Sequence, residues 1–336
     1  MLRRSAVVLL TAAGLAVVVG YLAYAPPLKA ATSCSGKHVY PSQNLTTVAQ
    51  NSPAGTTFCI HDGTYNVSSP VKVERNDRFV GVYRDSSRPA VVTTKAQQLF
   101  NTGAGNGAVI NKLRISGAVG GNYCEPYCGR GIGGGGSNLT VKKVRLTGNK
   151  NQGIGGTGPG LQVEDSEIDH NGSWSFSGLD NATFAASAGI KSVKSMTVLN
   201  SHIHDNYWSG VWSDKRSTTF TVRGSTITNN GKAGIHFEVS DGPATFAGNK
   251  IKANGTLGDK AGLHAGILIV SSSRADIYNN TFGGTARSFG SAVGFGVQVK
   301  NDGRAPGVRG IKIHDNTKNG DAIVGCTLSG VDCWGN

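Results

Sequence analysis

The chain has 336 residues, 49 of them glycine and only two methionine, with a dense supply of Asn, Ser, Thr, Val and Ile. That composition favours strands and turns over long helices. A net charge of +13 suits either a polyanionic partner or plain solubility, and the absence of a basic run with interleaved aromatics argues against nucleic acid.

The first element in chain order is an export segment. Arg3 and Arg4 precede an apolar stretch from Ala6 to Ala25, and small residues at Ala30 and Ala31 offer a cleavage point. A stretch of about 20 apolar residues is also long enough to remain as an anchor. Removing Arg3, Arg4 and Lys29 leaves a charge of about +10. The expected organisation is residues 1–31 as signal or anchor, 32–110 as N-terminal cap and first coils, and 111–336 as further coils. The last two form one continuous domain. Six cysteines follow the signal, an even number suited to an oxidising compartment. Their clustering suggests Cys34 with Cys59, Cys124 with Cys128 and Cys326 with Cys333, and their spacing lacks the paired CxxC halves of a zinc site.

Self-similarity organises the rest. A segment of the form Val/Ile-x-x-Ser/Asn-x-Ile-x-x-Asn returns at Val141–Asn149, Val163–Asn171, Val198–Asn206, Val222–Asn230 and Phe246–Asn254. Each is followed by a Gly-Ile or Gly-Val strand. These begin at Gly131, Gly153, Gly189, Gly210, Gly234, Gly266 and Gly296, with steps of 22, 36, 21, 24, 32 and 30 residues. A basic step of 21 to 24 residues fits one coil of three short strands whose apolar side chains stack coil on coil, with longer steps looping outward. The expectation is an all-β, right-handed parallel β-helix. Asn149, Asn171, Asn206, Asn230 and Asn254 share one register, as turn asparagines bonded from coil to coil would.

Gly189-Ile190-Lys191, the run Ile203-His204-Asp205-Asn206-Tyr207-Trp208-Ser209-Gly210-Val211-Trp212-Ser213-Asp214, and Ala233-Gly234-Ile235-His236-Phe237-Glu238 resemble bacterial extracellular repeat proteins of the pectate-lyase-like superfamily. The stretch Gly55 to Tyr65 resembles that superfamily's entry strands. The resemblance spans roughly Thr56 to Asn316 and is tightest from Ala188 to Asp241. It implies the architecture strongly and the chemistry weakly, because the superfamily holds lyases, hydrolases, epimerases and binders.

Alternation along the Gly-Ile strands turns Ile190, Val211, Ile235, Ile267 and Val297 inward. Lys191, Trp212, His236, Leu268 and Gln298 then form one outward row, and Val193, Asp214, Glu238, Val270 and Lys300 the next. With coils about 4.8 Å apart, Asp214 and Glu238 stand side by side, so one carboxyl is expected to hold its proton. They are the first candidates for acid and base, with His236 as alternative base and Lys191 as a further catalytic group. Trp212, Trp208 and Tyr207 are candidates for stacking on sugar, and Lys191, Lys194 and Lys300 for holding uronate carboxylates, with Gln298 beside them. Asp180 and Trp174, on the insertion Ser173 to Ser187, could reach the groove from above. The plainer alternative is that Asp214 and Glu238 are solvated, paired with Lys191, Lys215 or Arg216, or share calcium. His202, His204 and Asp205 read as turn packing rather than a metal site. Gly133 to Gly136 lack the Lys-Ser/Thr ending of a phosphate loop.

The function that follows is a secreted protein acting on polysaccharide, acidic rather than neutral, by lyase or epimerase chemistry. The alternatives are glycoside hydrolysis through Asp214 and Glu238, or a non-catalytic glycan-binding or structural surface protein. No cofactor is required, although the acids admit calcium, and no intramembrane contact is expected beyond an uncleaved N-terminal segment. A monomer is expected. The calcium-binding aspartates and strand arginine of pectate lyases are missing, which counts against pectate as the polymer.

Overall fold

The computed structural model describes residues 33–83, 89–93, 95–119, 128–173, 187–192, 194–215, 217–257, 263–287, 291 and 293–336. The export segment, Cys124, Trp174, Asp180, Val193 and Arg216 lie outside the described residues. Successive coils contribute strands to three parallel sheets, which hold twelve, ten and nine strands among the described residues. Every strand pairs with its counterpart one coil on, so the chain winds into a right-handed β-helix. A six-residue helix, Leu45–Gln50, packs near the N-terminal end, its first turn closed by the Asn44 side chain accepting from the Thr47 amide at 3.1 Å. Among the described residues no helix is long and apolar enough to cross a membrane.

The Gly-Ile strands form the ten-stranded sheet in the expected register. Ile190 pairs with Val211, Val211 with Ile235, Ile235 with Ile267 and Ile267 with Val297. All five are fully buried. Parallel columns come from the twelve-stranded sheet, such as Val163, Val198, Val222 and Phe246, and from the nine-stranded sheet, such as Ile168, Ile203, Ile227 and Ile251. Each such side chain contributes about 1.5–3 kcal/mol through burial, which a single coil alone could not realise.

The asparagine ladder closes the corner between the nine-stranded and ten-stranded sheets. The amides of Asn149, Asn171, Asn206 and Asn230 each donate to the next asparagine's carbonyl, at 2.9 to 3.0 Å. A second ladder, Asn249 to Asn280 to Asn316 to Asn336, runs at another corner. The first ladder also explains the glycine before each isoleucine. A Cβ on Gly210 would sit 2.7 Å from the Gly234 carbonyl and 2.9 Å from the Asn230 amide nitrogen, so no larger residue fits over the ladder. Two disulfides, Cys34–Cys59 and Cys326–Cys333, pin the ends, each with Cα atoms 5.8 Å apart. Cys128 is also disulfide-bonded.

Candidate functional site

The outer face of the ten-stranded sheet gathers most of the expected residues. Lys191 pairs with Trp212 and Trp212 with His236, so three large side chains stand on successive coils. Strand alternation places them outward, and close packing keeps Trp212 and His236 from solvent while Lys191 stays partly open. Lys191 sits with its Nζ 3.2 Å from the Trp212 ring centroid and 3.5 Å from Asp214 Oδ2. The indole of Trp212 stacks on the His236 ring, with centroids 5.1 Å apart and planes 14° apart. Asp214, just past strand Ser209–Ser213, is fixed by its amide donating to the Ser192 carbonyl. Glu238 ends strand Ala233–Glu238 and faces His236 Nε2 at 3.5 Å.

Burial sets the electrostatics. Desolvation pulls the Lys191 amine down from its ordinary value of 10.5 to about 8, against the upward pull of Asp214 and Glu238. Asp214 moves the other way: burial raises its carboxyl, and Glu238 adds to that while Lys191 opposes it. His236 lies far below the usual imidazole value because burial and then the charges of Lys232, Lys191 and Arg304 all disfavour the imidazolium. The site is therefore a desolvated amine against a carboxyl held back from ionising, with a neutral imidazole beneath. Such opposed shifts are the usual preparation for proton transfer.

Two cations that sequence reasoning missed complete the group. Arg304, on the loop after strand Phe295–Lys300, reaches back across the intervening coil to donate to Glu238 Oε1 at 2.8 Å and pairs with Asp302 as well. Lys232 precedes the His236 strand and lies 4.9 Å over the Trp208 ring; burial lowers its amine too. Lys232 adjoins a strand already singled out, so extending the row by one turn residue would have found it. Nothing local to Arg304 announces a partner 66 residues away.

Other expectations fare unevenly. Trp212 is not a sugar platform, because Lys191 covers one face and His236 the other and only 7% of the residue is exposed. His236 is 1% exposed, so although it stands in the row it does not present a base to a polymer on the surface. Lys194 is exposed on the bend leaving the sheet, where its backbone amide donates to the Ser192 hydroxyl. Gln298 shares the outward row but stands beyond the fully buried Leu268, and Lys300 lies beyond Val270. Trp208 and Tyr207 lie at the entry to the strand, opposite the end that carries Asp214. What remains solvent-accessible at the centre is Lys191 and Glu238, each with 17% of its side chain exposed. Among the described residues, the indole nitrogens of Trp208 and Trp212, His236 Nδ1 and Gln298 Oε1 are buried without a hydrogen-bond partner, although buried polar atoms are normally paired.

Comparison with known proteins places this fold. No curated protein matches the chain by sequence. In fold it is similar to the A-module of the Azotobacter vinelandii mannuronan C-5 epimerase AlgE6, at 13% identity and TM-score 0.51, covering 87% of this chain and 93% of that one. The pectate lyase Pel9A gives 12% identity and TM-score 0.54 over 89% and 79% of the two chains. The surface protein and adhesin PfbA of Streptococcus pneumoniae gives 12% and 0.54 over 86% and 82%. At these identities the likeness is one of fold. The family model for the right handed beta helix region matches residues 99–282, more than half of the chain, and the protein accordingly belongs to that family.

Proposed function

We propose that the protein is an exported enzyme that acts on a uronate-containing polysaccharide by proton abstraction, as a lyase or an epimerase. The observation that carries this reading is Lys191, an amine brought down to about 8 by burial, partly open to solvent, and 3.5 Å from a carboxylate oxygen. In its neutral form Lys191 takes the hydrogen from the ring carbon bearing the substrate carboxylate. The electron pair left behind is stabilised by cations, of which Arg304 is at hand and Lys300 stands further along the same face. In a lyase the pair forms the ring double bond and expels the neighbouring glycosidic oxygen, which takes its proton from Asp214, whose raised carboxyl suits an acid. In an epimerase a proton returns to the same carbon from the opposite face. The two disulfides and the charged and apolar N-terminus support export. An epimerase, a lyase and an adhesin share this fold, so the residues and not the fold bear the argument.

Hydrolysis through Asp214 and Glu238 is the second reading, favoured by a carboxyl held back from ionising beside one paired with Arg304. The mature protein is to be incubated with uronic-acid and neutral polymers, reading unsaturated product, reducing ends and deuterium uptake at the acidic carbon. Unsaturated product or deuterium uptake, lost in Lys191→Ala, is expected. Reducing ends without unsaturation would move the assignment to hydrolysis. Binding without turnover, unchanged in Lys191→Ala and Asp214→Asn, would leave a glycan binder.

A further inference from the structure

The geometry points to a divalent-cation site on the outer face of the nine-stranded sheet, formed by His204, Glu167 and Asp169 and suited to zinc or a similar first-row ion. Glu167 and Asp169 alternate outward on strand Glu167–Asp169, and His204 stands opposite Asp169 on the next coil. One donor atom from each of the three falls within 4.8 Å of the others. The His204 Nε2 to Glu167 Oε1 distance of 3.4 Å is roughly the edge of a tetrahedron whose centre lies about 2.1 Å from each corner, the usual zinc–ligand length.

The surroundings prepare each donor. His204 Nδ1 lies 2.6 Å from Asp205 Oδ2, and Asp205 holds that position in a left-handed turn at φ 52°. A proton on Nδ1 leaves the Nε2 lone pair facing Glu167, the carboxylate–histidine arrangement that orients metal-bound imidazoles. Among the described residues Nε2 is buried and makes no hydrogen bond, so with the proton on Nδ1 its lone pair is directed at carboxylates with no donor between them. Asp169, fully buried, is oriented by Arg145, Thr147 and His170. Among the described residues its Oδ1 accepts only from Arg145 Nε and keeps a lone pair in reserve. The Arg145 guanidinium offsets one negative charge of the three carried by Glu167, Asp169 and Asp205. An imidazole with two carboxylates selects a borderline ion over calcium, which prefers six to eight oxygens. The inference stands apart from the glycan reading, since the site is on a different sheet from Lys191.

The test is titration of the untagged protein with zinc chloride by calorimetry, with the melting temperature read in parallel. No described cysteine is a free thiol, so thiol binding does not compete there. One equivalent of zinc should bind and raise the melting temperature. His204→Gln and Glu167→Gln should each weaken binding at least tenfold, and Asp205→Asn, which keeps the imidazole, by a smaller factor. His61→Gln, which breaks the His38–His61 contact near the N-terminus, should leave the tight site intact. Wild-type protein that takes up no equivalent of zinc, or binding unchanged in both His204→Gln and Glu167→Gln, would overturn the site. Circular dichroism on each variant separates lost ligand from lost fold.

Discussion

Two outer patches of the solenoid carry the same residue types under opposite physics. On the twelve-stranded sheet, Tyr278, His314 and Trp334 stack at 5.3 and 4.4 Å, and His314 is raised by Asp315 and Asp276. Lys142 on that sheet is likewise raised, through Glu164 at 2.7 Å. On the ten-stranded sheet His236 and Lys191 are both lowered, with burial as the leading cause. Each lowered group has a carboxylate within 3.5 Å, so proximity to an acid does not separate the faces. What separates them is the exposure of the acids: Asp276 and Asp315 keep 44% and 57% of their side chains exposed and simply pair, whereas Asp214 and Glu238 keep 10% and 17% and their partners are held away from their ordinary protonation states. Such opposed shifts, gathered at Lys191, Asp214 and His236 together, are what groups prepared for proton transfer show.

The comparison breaks most sharply on activity. Lys191→Ala should lower turnover of the uronate polymer by about 10²- to 10⁴-fold, the usual worth of a general base, while Lys142→Ala leaves it unchanged. Parallel rate assays on the two variants decide between them; equal losses would erase the distinction between faces. Next in size is the polymer's pH profile. Since the Lys191 amine loses its proton near 8, kcat/KM should climb as pH rises towards that value and then level. A rate already flat from pH 6 would assign Lys191 the role of a fixed cation.

Stability supplies the third contrast. A lysine lowered by folding binds fewer protons in the native state than unfolded between about 8 and its ordinary 10.5. Stability should therefore rise with pH across that window. Lys191→Met should be the more stable protein at pH 7, with the advantage shrinking above pH 10, as denaturant melts at the two pH values will show. Asp169 behaves oppositely. Its carboxyl is held below the usual range by hydrogen bonds from Arg145, His170 and Thr147, which outweigh burial, the largest single influence on it. It contributes stability that is present above the usual carboxylate pKa and lost as pH falls through the lower folded value. Asp169→Asn should cost about 1.5–3 kcal/mol at pH 7. The smallest effect belongs to Lys142→Ala, whose melting temperature should match the wild type.

The solenoid was legible because its cause is periodic. One buried isoleucine, one corner asparagine and one glycine per coil repeat at fixed register, and Gly210 over Asn230 shows why the three travel together. The neighbours of Lys191 were legible for the same reason, since strand pairing carries Lys191 to Trp212 and on to His236. Depth was not. Alternation gives the face of Trp212 and His236 but not that Lys191 and His236 would sandwich the indole, so both were expected to meet substrate and neither is open to it. Arg304 escaped because its partner is set by a loop's return path. His204 and Asp205 read as turn packing, and Glu167 was not singled out at all, because its approach to His204 depends on how far the two side chains reach across neighbouring coils.

The central claim, that burial makes Lys191 a base, is tested most directly by titrating lysines one by one through the pH dependence of their acylation, read by mass spectrometry. Lys191 should titrate near 8 and Lys142 above its ordinary value, whereas a Lys191 that titrates at 10 or higher would contradict the account.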